Sequence, residues 1–142
     1  MNWKRFFGAI MTAFALVIIL DILLNAVLLR GAWNASAQCW LPLHEMNRRV
    51  PLGWLAILLA VSCQSVIFVR ARWQGILRGL EFGFWLGMAA FVGVAIGIYS
   101  VVSWSMQLIL AMATQQLMNS LLTGLALGWL YRPPASRGLA AE

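Results

Sequence analysis

Four apolar stretches, set apart by shorter polar segments, give the chain its pattern. They fall at 6–29, 52–69, 79–102 and 107–131, each at least about 18 residues long, as a helix crossing ~30 Å of hydrocarbon must be. The first contains the run 16–29, LVIILDILLNAVLL, which carries one acid, Asp21, and one amide, Asn25. The pattern predicts an all-α polytopic membrane protein. Its four transmembrane helices form one up-down bundle over 1–142, with a short cytoplasmic tail, 133–142, behind Pro133-Pro134. A long loop over 30–51 is expected between the first two helices, with the second starting behind Pro51. Inside that loop, Trp40-Leu41-Pro42-Leu43 reads as a surface-lying or re-entrant piece that caps the bundle.

Composition narrows the class. Of 142 residues, 63% are hydrophobic and 10% charged, with a mean hydropathy of +0.85. A soluble domain carries about 25% charged residues, so this supply cannot cover a water-facing surface. The net charge of +6 does not point to nucleic acid, because no basic run exceeds two residues. Lys4-Arg5 before an apolar run, with Ala35-Ser36-Ala37 downstream, imitates a secretory leader. The run is much longer than the ~7–15 residues of a leader core, so a retained first helix is expected.

The cations set orientation. Lys4, Arg5, Arg70, Arg72, Arg78, Arg132 and Arg137 would lie on one side, against Arg30, Arg48 and Arg49 on the other. That bias predicts both termini in the cytoplasm. Aromatic residues follow the same depths: Trp3, Phe6, Trp73, Trp85, Trp129 and Tyr131 near the inner face, and Trp33, Trp40, Trp54, Tyr99 and Trp104 near the outer.

Asp21 is the main chemical candidate. An acid at a helix centre costs about 2.5–3.5 kcal/mol on insertion scales. The aliphatic residues of 16–29 return about 0.3–0.6 kcal/mol each, so the helix still inserts, with Asp21 facing the bundle. Asn25 lies one turn on, on the same face. Counting depth along the helices puts Gln115, Gln116 and Asn119 of the fourth near Asp21, with Gln64 of the second nearer the cytoplasm. Asp21, Asn25, Gln64, Gln115, Gln116 and Asn119 are therefore the expected polar seam. Such a seam serves either as a site for a proton or small solute, or as hydrogen-bonded glue between helices.

Small residues mark the packing faces. Gly79, Gly83, Gly87, Gly93 and Gly97 in the third helix, and Ser120, Gly124 and Gly128 in the fourth, have the small-xxx-small spacing that lets backbones approach. Arg78 and Glu81 are expected to pair at the start of the third helix.

Other chemistry is missing its parts. Cys39, His44 and Glu45 fit no zinc spacing, so no metal or cofactor is expected. There is no C-x-x-C, no intramembrane His pair for haem and no Ser-His set, so no enzyme is expected. The partners expected are the lipid bilayer and either a second copy of the chain or a larger membrane protein.

Two resemblances bear on these residues. Asp21-Ile22-Leu23-Leu24-Asn25, Trp40-Leu41-Pro42 with Glu45-Met46, the glycine run of the third helix and Gly128-Trp129-Leu130-Tyr131-Arg132-Pro133 look like a group of small bacterial four-helix membrane proteins without an assigned activity. That resemblance implies the four-helix fold and a bacterial inner-membrane address. The single acid of the first helix is also similar to the coupling carboxylate of the small multidrug resistance exporters. Those proteins use Glu, are shorter and have brief loops, and many carry a weaker charge bias. Two functions follow as expectations: an accessory or scaffold bundle fastened at Asp21, or a proton-linked transporter or channel-like oligomer using it.

Overall fold

The computed structural model describes residues 3–35, 42–101 and 103–131. These residues are almost entirely helical, with no strand among them. Four long helices carry the fold: α1 (Trp3–Leu23), α3 (Leu43–Arg70), α4 (Ile76–Val101) and α5 (Met106–Leu130), with a short α2 (Arg30–Ala35) after the first. All four are long and apolar enough to cross a membrane.

The first helix does not run as one uniform α-helix. Its α-helical part stops at Leu23 and a π-helical turn, Leu24–Leu28, follows, closed by Leu29 N donating to Leu24 O at 2.9 Å. The long loop expected over 30–51 is largely helical instead. Residues 30–35 form α2, and α3 begins at Leu43, two turns before Pro51. Pro42, with φ −50° and ψ 143°, is the residue that starts α3. Pro51 sits inside the helix, where its missing N–H costs a single bond, and residue 47, whose carbonyl loses that bond, is exposed. Pro42 and Leu43 are thus a helix start; the rest of the expected surface-lying piece, with Cys39, lies outside the described residues, as does the tail 132–142.

Between α3 and α4 the chain turns through Arg72 at φ 56° and Gly75 at φ 86°. Ser105 begins α5, its side chain accepting from Leu108 N at 3.3 Å.

α5 is the helix the others pack on; it meets α1, α3 and α4. It is also the least apolar of the four, with a mean hydropathy of 1.2 against 2.5 for the first. The two facts belong together, since a helix surrounded by protein can carry amides that lipid would exclude. The core runs down one stripe of α1, Phe6, Ala9, Ile10, Ala13 and Val17, against Val61 and Phe68 of α3 and Ala126 and Leu127 of α5. Phe6 and Tyr131 are buried in this core, edge to face at 6.2 Å, and do not join an interfacial belt. Phe68, Trp73 and Phe82 meet where α3 turns into α4, Trp73 edge to face with each of the two phenylalanines.

α4 and α5 approach along glycine. A Cβ on Gly83 would stand 2.5 Å from Ser120 O, one on Gly87 2.7 Å from Leu117 Cδ1, and one on Gly128 2.6 Å from Gly75 O. Gly79 and Gly124 face each other's carbonyl oxygens. Gly93 and Gly97 are not part of this contact; nothing lies within 4 Å of a Cβ at either. By angle alone Gly97 would share a face with Gly79, about five turns away at ~100° per residue, yet the contact does not reach it.

Candidate functional site

Asp21 sits in the last turn of α1 before the helix changes to its π-helical turn. Asn25 Nδ2 donates to the main-chain Asp21 O at 2.7 Å. The contact between these two residues therefore includes Asp21's main chain.

The carboxylate takes its donors from α5. Gln115 Nε2 donates to Asp21 Oδ1 at 2.7 Å, and Asn119 Nδ2 donates to the same oxygen at 2.9 Å. The two amides stand four residues apart on one face of α5, so both reach α1 together. Thr123 continues that face and donates Oγ1 to Asn119 O at 2.9 Å.

Gln64 and Gln116 join this group through space. Together with Asp21, Asn119, Ser120 and Thr123 they line a cavity of about 80 Å³ between α1, α3 and α5, whose apolar lining is Val17, Ile57, Ala60 and Val61. Gln116 is otherwise exposed, whereas Gln64 is half-buried. Two oxygens here are shielded from solvent and unpartnered among the described residues: Gln64 Oε1 and Asn119 Oδ1. The second follows from the first-named bonds. A carboxylate only accepts, so Asn119 must turn its nitrogen to Asp21 and its oxygen away.

No lysine or arginine pairs with Asp21 among the described residues. The ion pairs Arg49–Glu45 at 3.6 Å and Arg78–Glu81 at 2.7 Å both lie at helix starts. His44, Glu45, Arg48, Arg49 and Leu52 outline a second, open recess of about 440 Å³. No group of three or more His, Cys, Asp or Glu able to hold a metal occurs among the described residues.

The cavity size limits what the site can do. Drug-sized ligands occupy about 300–1,000 Å³, so about 80 Å³ suits water, a proton or a small ion. Sequence reasoning names the six polar residues but treats Ser120 as packing alone and leaves Thr123 out of the site. The i, i+4 step from Asn119 to Thr123 is the signal for the second. The π-helical turn has no comparable mark in the sequence.

Protein-family models, curated proteins and solved structures give no match to this chain.

Proposed function

We propose that the chain is an integral membrane protein of the bacterial inner membrane, multi-pass with both termini cytoplasmic, that serves as a non-enzymatic accessory or scaffold bundle. Its four long helices cross the bilayer up and down, and Asp21 fastens the first to the last. The observation that carries this reading is the convergence of Gln115 and Asn119 on one oxygen of Asp21. Between membrane helices such bonds contribute about 0.6–2 kcal/mol each, a modest amount because the separated side chains find other partners. The apolar outer faces of α3 and α4 suit lipid or a larger membrane protein.

Thermal unfolding of the detergent- or nanodisc-held protein tests this reading. Asp21→Asn keeps an oxygen that accepts both amides and is expected to unfold close to wild type. Asp21→Ala removes both bonds and is expected to lose about 1–3 kcal/mol. An Ala variant as stable as wild type would refute the fastening role.

A second reading, a proton-linked transporter or channel-like oligomer, draws on the cavity beside Asp21. In proteoliposomes it requires proton flux under a pH gradient that Asp21→Asn abolishes. Equal flux through wild type and Asp21→Asn would remove it.

A further inference from the structure

We propose that the cavity between α1, α3 and α5 binds a small monovalent cation of sodium's size. The proposal goes beyond the fastening role: it concerns the groups that fastening leaves over. Gln115 and Asn119 both donate to Oδ1 of Asp21, so its Oδ2 takes neither donor. Asn119 Oδ1 and Gln64 Oε1 are shielded from solvent without a partner among the described residues. The residues carrying these three acceptors line one cavity, with the hydroxyls of Ser120 and Thr123 beside them. Each buried acceptor without a donor costs free energy, and a carboxylate in a low-dielectric setting without a countercharge costs more. A cation in the cavity supplies the countercharge and sits among the residues that carry both unpartnered oxygens.

The donor set selects the ion. Carboxylate, amide and hydroxyl oxygens are hard ligands that suit hard cations, and among the described residues no group of three or more His, Cys, Asp or Glu is available for a softer metal. A single carboxylate balances one positive charge; a divalent ion here would remain half-compensated. A cavity of about 80 Å³ accommodates the ion with one or two waters, each of which occupies about 30 Å³. A proton on Asp21 would satisfy one acceptor and leave the other amide oxygen unpartnered.

Thermal unfolding of the full chain in nanodiscs, titrated with NaCl against choline chloride at constant ionic strength and pH, tests the site. KCl and NH4Cl series run alongside. The wild-type midpoint is expected to climb and saturate with Na+, and to respond less to K+ and NH4+. Asp21→Asn is expected to abolish the response. Gln64→Leu, which removes an oxygen without a partner among the described residues, is expected to fold and to weaken the apparent sodium affinity at least about ten-fold. Broadening of the 23Na resonance by wild type but not by Gln64→Leu gives a readout independent of stability. Identical midpoints in all four salts, or a midpoint that moves with pH alone, would overturn the cation site. Neither result touches the fastening role, which is read from Asp21→Ala at fixed salt.

Discussion

The Asp21 carboxylate and the Gln115 amide, 94 residues apart in sequence, meet at 2.7 Å. About two-thirds of the chain lies between them, and their bond joins its first long helix to its last. A double-mutant cycle with Asp21→Ala and Gln115→Ala is expected to give a coupling of about 0.6–2 kcal/mol in detergent unfolding. Additive effects would mean that the two side chains do not support each other.

The α4–α5 contact should separate glycines that look alike in the sequence. Gly124→Ala sets a Cβ against Gly79 and is expected to destabilise by about 1–3 kcal/mol. Gly93→Ala and Gly97→Ala meet open space, and alanine is the better helix former by about 1 kcal/mol. Those two are expected to be neutral or stabilising in the same unfolding assay. A loss of stability at Gly93 comparable to that at Gly124 would contradict the packing described.

Phe68 is fully buried and stands against both Trp73 and Phe82, at 6.3 and 5.5 Å between ring centroids. Phe68→Ala is expected to cost about 3–5 kcal/mol. It should also shift Trp73 emission to longer wavelength, which is resolved by comparison with the Trp73→Phe background.

Orientation is open to direct labelling. In a background with Cys39 and Cys63 replaced by Ser, a cysteine at Asn47 is expected to react with an impermeant maleimide from outside intact cells. A cysteine at Gln74 is expected to react only after permeabilisation, because the proposed topology puts the turn with Arg70, Arg72 and Arg78 in the cytoplasm. The reverse pattern would invert the topology proposed.

Part of the helix packing was already legible as periodicity. Gly79, Gly83 and Gly87 repeat every four residues, close enough to 3.6 to keep one face, but Gly93 and Gly97 fall near the angle of Gly79 too, so their absence from the contact was not legible. The burial of Phe6 and Tyr131 was not legible, because an aromatic near a membrane border suits a core and an interfacial belt equally well.

Apolar length and charge supply, both properties of the chain alone, determined that four long helices form and which segments carry them. Residue counting along a fixed helical rise also sufficed to put Asp21 near the depth of Gln115 and Asn119. Only the tertiary structure decided that Pro42 rather than Pro51 starts α3, that a π-helical turn follows Asp21, and that Asn119 turns its oxygen away from the carboxylate. These outcomes depend on which neighbour each backbone or side-chain group meets across the bundle, and hydrophobic patterning carries no record of that.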